Sequence, residues 1–288
     1  MPTESPEDYV QEFVDRGTDR IGLQVYPEPD GGTDAPLVVI WPAMGVRARY
    51  YRPFATALRQ RGLGVVVADL RGTGASTPPP SRASRYGYEE LVGDVGAVLA
   101  ALKPRLDGRR RLLLGHSLGG QAALLHLALT EDSDVDGLVL VAAGLPYWRN
   151  FPAGARRYAV WPYTQAIAAT AAVLGVWPGW GFGGRQAAGV MRDWGHTART
   201  GRFPPIGGVD AEAAVRRVRT PVLAVSVDDD QYTPVGVVDE VCAKLAAAPV
   251  RREHYTVAQA GAPLDHFTWV RRPDPVATHI ANFAAALS

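Results

Sequence analysis

Two patterns of apolar residues divide this chain. Positions 9–15 and 21–26 alternate apolar and polar, the two-residue period of a strand with one wet face. Asp30-Gly31-Gly32 follows with turn chemistry, so the opening reads as antiparallel. Uninterrupted apolar runs come next: Leu37-Val38-Val39-Ile40-Trp41, Gly64-Val65-Val66-Val67-Ala68, Arg111-Leu112-Leu113-Leu114, Gly137-Leu138-Val139-Leu140-Val141 and residues 222–227. Such runs suit strands buried on both faces. Between them lie helical patterns: an amphipathic stretch over 49–61 that stops at Gly62, and a stretch over 88–103 with Leu91, Val92, Val95, Val98, Leu99 and Leu102 at helical spacing before Pro104. Helices are also predicted over 117–130, 235–247 and 276–286, and a strand over 254–257. Strands alternating with helices predict an α/β fold with a mostly parallel sheet covered on both faces.

The rhythm breaks over residues 147–205. This segment holds 11 of the 25 aromatic residues, and its seven arginines face one acid, Asp193, for a formal charge of +6. Long structureless excursions are uncommon, so the segment reads as a folded, mainly helical insertion over the carboxyl ends of the strands. The expected division is a core in two parts, 1–146 and 206–288, with a cap between them.

Composition narrows the class. Of 288 residues, 47% are hydrophobic and 20% charged, enough apolar material for a sizeable core. Thirty cationic residues balance 29 acidic ones, which leaves no global basic field for a nucleic-acid partner. Cys242 is the single cysteine, excluding an intrachain disulfide and a cysteine metal cluster. Residues 1–8 are acidic with no hydrophobic signal core, and the mostly apolar stretch 166–176 is too short to span a bilayer. A cytoplasmic protein with no membrane insertion is expected, with no cofactor and its oligomeric state open.

The chemistry centres on Gly115-His116-Ser117-Leu118-Gly119-Gly120, which joins a buried strand to a helix. A serine at the tip of a sharp strand-to-helix turn needs neighbours without side chains, because the flanking positions are pressed together. There the Ser117 hydroxyl can meet a base. The amide of Leu118, at a helix N-terminus, points at a developing oxyanion.

At these residues the chain resembles the α/β-hydrolase superfamily, and the resemblance covers nearly all of it. Asp69-Leu70-Arg71-Gly72-Thr73-Gly74-Ala75-Ser76 looks like a structural turn found in many members. Gly189-Val190-Met191-Arg192-Asp193-Trp194 and His266-Phe267-Thr268-Trp269 resemble a bacterial subgroup related to serine aminopeptidases and monoacylglycerol lipases. The resemblance implies an eight-stranded α/β-hydrolase sheet with a cap and the catalytic order serine, acid, histidine. His266 lies in a loop between the last strand and the last helix, where the base is expected. His254 and His279 fall in a strand and a helix, His126 points away from the turn, His116 adjoins the serine for packing, and His196 lies in the cap near substrate. The acid stands four residues before a helix-opening proline in family members, which selects Asp230 before Pro234; Asp228 and Asp229 stay open as alternatives. Family members carry His-Gly-x-Gly after the third strand, and this chain has Pro42-Ala43-Met44-Gly45, so the second oxyanion donor falls on the Met44 amide. Asp265 stands where glycine is usual and is expected to raise the pKa of the neighbouring base.

These residues imply acyl transfer through Ser117, His266 and Asp230, with Leu118 and Met44 holding the oxyanion. The expected substrate is a small-to-medium apolar carboxylic ester, bound beneath the cap by Tyr147, Trp148, Trp161, Trp194 and His196. Other cap aromatics, Phe151, Trp177, Trp180 and Phe182 among them, share the choice between pocket wall and cap core. Gly181-Phe182-Gly183-Gly184 does not join a strand to a helix and so is no phosphate loop. The rivals are an amide or peptide hydrolase of the aminopeptidase type, an acyltransferase with the same triad, and a silent binding protein.

Overall fold

A computed structural model describes residues 9–30, 32–130 and 133–287. The acidic opening 1–8 and Gly31 of the expected turn lie outside these residues. The alternating segments form β1 (Val10–Arg16) and β2 (Asp19–Val25), an antiparallel hairpin turning at Gly17. The apolar runs form β3 (Leu37–Trp41) and β4 (Gly64–Ala68), with α1 (Arg52–Arg59) between them. The helix expected over 49–61 starts as a 3-10 turn, Ala48–Tyr51, and becomes α1 where Pro53 fits the first turn without losing a hydrogen bond. After α2 (Tyr88–Ala101), Pro104 again occupies a first turn, that of the short α3 (Lys103–Leu106). Then come β5 (Arg111–His116), α4 (Leu118–Leu129) and β6 (Gly137–Val141).

Residues 147–205 form α5 (Ala155–Leu174), the two-residue strands β7 (Val176–Trp177) and β8 (Gln186–Ala187), and α6 (Ala188–Thr200). The alternation then resumes with α7 (Ala211–Val215), β9 (Val222–Val227), α8 (Val235–Lys244), β10 (Val250–Tyr255), α9 (Val257–Ala260) and α10 (Asp274–Ala286). The strand expected over 254–257 is β10, and it begins four residues earlier. Arg251-Arg252-Glu253 masked its start, because an edge strand carries charge that an apolar pattern does not register. It ends sooner because Thr256 caps α9: its hydroxyl accepts from the Gln259 amide, whose side chain accepts in return from the Thr256 N–H.

Eight strands make one sheet in the order β1, β2, β4, β3, β5, β6, β9, β10. The pairs β1/β2 and β2/β4 are antiparallel and the rest parallel. Successive side chains feed two cores, one on each face: Val39 and Trp41 enter one, Val38 and Ile40 the other. The Asp69 turn joins the hairpin to this sheet. Asp69 accepts hydrogen bonds from the amides of Ala48 (2.6 Å) and Ala75 (2.9 Å), while Arg71 pairs with Asp94 on α2 and Asp19 on β2. Among the described residues, no helix is long and apolar enough to cross a membrane.

Candidate active site

Strand β3 lies between β4 and β5, so the chain reverses its direction of travel across the sheet there. A crevice opens at such a switch point outside the carboxyl ends of the strands. The turns leaving β3 and β5 carry Met44 and Ser117 into it. Ser117 has φ 53° and ψ −118°, a conformation that costs a non-glycine residue about 1–3 kcal/mol. The glycines around it make that backbone path passable. A Cβ on Gly115 would lie 2.2 Å from Gly120 Cα, and one on Gly119 would lie 2.2 Å from the Trp41 carbonyl oxygen. The second glycine is therefore required by the end of β3. Leu118 opens α4, so its N–H has no acceptor within the helix and faces outward.

The loop after β9 delivers the acid. Asp230 Oδ2 lies 2.8 Å from His266 Nδ1, with both residues buried. The amides of Tyr232 and Thr233 donate to Asp230 Oδ1 at 2.8 Å each, and the Thr233 hydroxyl donates to Oδ2 at 2.6 Å. Burial opposes ionisation of Asp230. The adjoining His266 and these donors outweigh it and hold the carboxyl below its ordinary pKa. The two alternatives go elsewhere: Asp228 pairs with His254 (2.9 Å) and accepts from the Val257 amide (2.8 Å), while Asp229 is exposed. The sequence does not single out Thr233, because a threonine in a loop reads as an ordinary turn residue. Asp265 likewise turns to the backbone, accepting from the amides of Phe267 (2.7 Å) and Thr268 (2.6 Å) at the start of the 3-10 turn Thr268–Arg271.

The turn after β3 is tied to the serine turn through Tyr51. Ala43 N–H donates to the Tyr51 hydroxyl at 2.9 Å, and that oxygen lies 2.7 Å from His116 Nδ1. The Trp269 indole N–H lies 3.5 Å from His116 Nε2, on the far side of the ring from Tyr51. Burial, reinforced by the neighbouring His266, holds His116 well below the usual imidazole pKa, so it is neutral. The residues preceding Met44 and Ser117 are thus joined by one phenol. Nothing in the sequence separated Tyr51 from its neighbours in an amphipathic stretch.

A cavity of about 320 Å³ opens onto Ser117 and His266, walled by Met44, Gln121, Phe182, Trp194, Tyr232 and Phe267. Of the substrate-binding residues expected from sequence, Trp194 lines it and four do not, for reasons of packing. Tyr147 lies over Gly201, where a Cβ would approach its ring to 2.7 Å. Trp148 contacts Tyr158 with ring centroids 5.9 Å apart, and the guanidinium groups of Arg149 and Arg157 cover it. Trp161 is 44% exposed on α5. His196 sits on α6 beside Arg199 and Arg202; partial burial, then those charges, lower its pKa. Tyr232, Phe267 and Gln121 were missed, because an apolar or amide side chain reads alike in a core and in a cavity wall. The glycine-rich loop 179–184 closes against the Met44 turn: a Cβ on Gly45 would lie 2.3 Å from the Gly183 carbonyl oxygen, and one on Gly183 2.6 Å from Met44 Sδ. Among the described residues, no cluster of three or more His, Cys, Asp or Glu could hold a metal ion.

The profile of the family described as "Serine aminopeptidase, S33" matches residues 33–258. The chain belongs to that family. The serine aminopeptidase family is one of hydrolases, and curated relatives of this member include an AB hydrolase superfamily protein, YisY of Bacillus subtilis (strain 168), 30% identical over 125 residues. That match covers 43% of this chain and 43% of YisY. A protein named carbamate hydrolase RutD, from Variovorax paradoxus (strain S110), is 34% identical over 122 residues, 42% of this chain and 43% of its own length. The chain therefore spans under half the length of these two relatives. An esterase from Exiguobacterium antarcticum is 16% identical with a TM-score of 0.66, covering 96% of this chain and all of that one, and it shares the α/β-hydrolase fold.

Proposed function

We propose that this chain is a serine hydrolase that cleaves a small-to-medium apolar carboxylic ester through an acyl-enzyme. The observation that carries the proposal is the buried 2.8 Å contact between Asp230 and His266 at the wall of a cavity that Ser117 shares. With Nδ1 engaged by Asp230, Nε2 is the imidazole nitrogen left to act as base. Ser117 Oγ attacks the ester carbonyl carbon as its proton passes to His266. The carbonyl π electrons move onto oxygen, where the amides of Leu118 and Met44 stabilise the charge. Collapse breaks the ester C–O bond, and the alcohol leaves with the proton from His266. Water then attacks the acyl-enzyme by the same relay, releasing the acid and restoring Ser117. Asp230 fixes the imidazole tautomer and faces the transient imidazolium charge.

Residues 147–205 act as the cap, with Phe182 and Trp194 as the apolar wall that an uncharged substrate meets. An aminopeptidase would need a carboxylate to hold a free amine. Asp193, the one acid of this segment, is buried and engaged by the Tyr88 amide (2.9 Å) and by Arg192 (2.8 Å), so it serves packing. A carbamate presents the same carbonyl to the serine, and the relative named for that activity puts it on the test panel.

The decisive experiment is treatment with a fluorophosphonate and measurement of intact mass, alongside Ser117→Ala. One adduct on the wild type and none on the variant is expected; an unlabelled, folded wild type overturns the nucleophile. An ester, thioester, carbamate and amide panel then ranks the leaving groups, and an added alcohol or thiol that captures the acyl group would favour the acyltransferase reading.

A further inference from the structure

A second cavity, of about 230 Å³, lies behind the one that holds Ser117. The two share Pro146, Phe182, Trp194 and Tyr232, so a wall built of three rings separates them. Phe182 lies 5.0 Å from Trp194 and 5.8 Å from Tyr232 between ring centroids. The far side of the second cavity is faced by Phe151 and by Val160, Tyr163 and Thr164 of α5. The Thr164 hydroxyl is spent on the Trp161 carbonyl (2.9 Å), and Arg156, which is exposed, donates to the Gln231 carbonyl (2.9 Å). The cavity is open to solvent at Arg156, Tyr163 and Gln231, and its apolar wall offers a polar ligand little hydrogen bonding while burying hydrocarbon surface favourably.

One ring of the partition stands on a glycine-rich loop. Phe182 stands between Gly181 and Gly183, both in the left-handed region, and a Cβ on Gly181 would meet nothing within 4 Å. The Phe182 carbonyl is held by the Trp177 indole N–H at 2.9 Å, so the backbone is anchored, while the half-buried ring is held by ring contacts with Tyr163, Trp194 and Tyr232 and by no hydrogen bond.

We propose that the second cavity is the site for the tail of a linear aliphatic acyl group, entered past Phe182. This rests on the reading of Ser117 as the acylated nucleophile and names its substrate class: esters whose saturated acyl chain outgrows the first cavity. Each methylene moved from water into such a site is worth about fourfold in binding.

The test compares labelling rates of the intact chain by ethyl and decyl fluorophosphonates, taken as a decyl-to-ethyl ratio that cancels general effects on Ser117. Val160→Trp, which fills the second cavity, lowers the ratio by about tenfold. Tyr163→Trp is a second filling variant should the first misfold. Phe182→Ala, which removes the door, raises the ratio. A ratio that stays within about twofold in the folded variants overturns the tail site while leaving the nucleophile intact. No labelling of wild type by either reagent overturns both together.

Discussion

The two sides of the cavity are held by different physics. On the sheet side, Asp230, His266, Tyr51 and His116 are held by buried hydrogen bonds, and Ser117 by its strained strand-to-helix turn between packed glycines. On the other side, Phe182 of residues 147–205 meets Trp194 and Tyr232 through tilted ring contacts, and the loop between Gly179 and Gly184 closes on the Met44 turn through Gly45 backbone and the Met44 thioether. Directional bonds specify one geometry, and ring contacts tolerate many. On the proposed function, chemistry belongs to the first side and substrate choice to the second.

The contrast makes predictions of graded size. Ser117→Ala and Asp230→Asn remove the attacking atom and the group that sets the imidazole tautomer, and each lowers kcat by about 10⁴-fold with the fold unchanged. Steady-state hydrolysis of a short activated ester measures it, and an active Asp230→Asn enzyme would dissolve the division between the sides. The next effect is on stability. Burial holds His126 neutral, with its pKa lowered to about 4. As pH falls from about 6.5 towards 4, the unfolded chain takes up a proton that the native chain refuses, so stability is complete above that window and declines within it. The loss reaches about 3 kcal/mol, read from urea unfolding across the window. His126→Phe, with no proton to accept, flattens the slope. A wild type with no slope there would remove His126 from the account.

Tyr51→Phe deletes one oxygen and leaves the Ala43 N–H buried without its acceptor, at about 1–3 kcal/mol. If Tyr51 positions the Met44 amide, kcat falls about tenfold while KM holds; a rise in KM alone would place Tyr51 in substrate binding instead. Gly181→Ala is the mildest change. The new methyl has open space and pays only for its backbone angle, about 1 kcal/mol, so activity survives. The matching change on the sheet side, Gly119→Ala, would drive a methyl into the Trp41 carbonyl and abolish labelling.

The same division governed what could be read from sequence. Strands β3 to β6 announced themselves through unbroken apolar runs, because both of their faces are buried. The glycines around Ser117 were legible because backbone geometry admits few residue types there, whereas Asp230 stood out from Asp228 and Asp229 only through the register before Pro234 that the family resemblance implies. The wall of the cavity was not. Trp148 and Trp194 look alike in a sequence, yet one is covered by arginines and the other faces Ser117. Only the packing of α5 against α6 decides between them. Tyr51 was invisible for a related reason, since its partners at positions 43 and 116 are distant along the chain and its contact is one atom wide.

The close approach of Gly45 and Gly183 makes the seating of the upper loop a local matter. Backbone meets backbone at Gly45, and Met44 Sδ closes on Gly183, so neither position has room for a side chain. The vulnerability of the arrangement is equally local: one methyl at position 45 would prop the cover away from the serine.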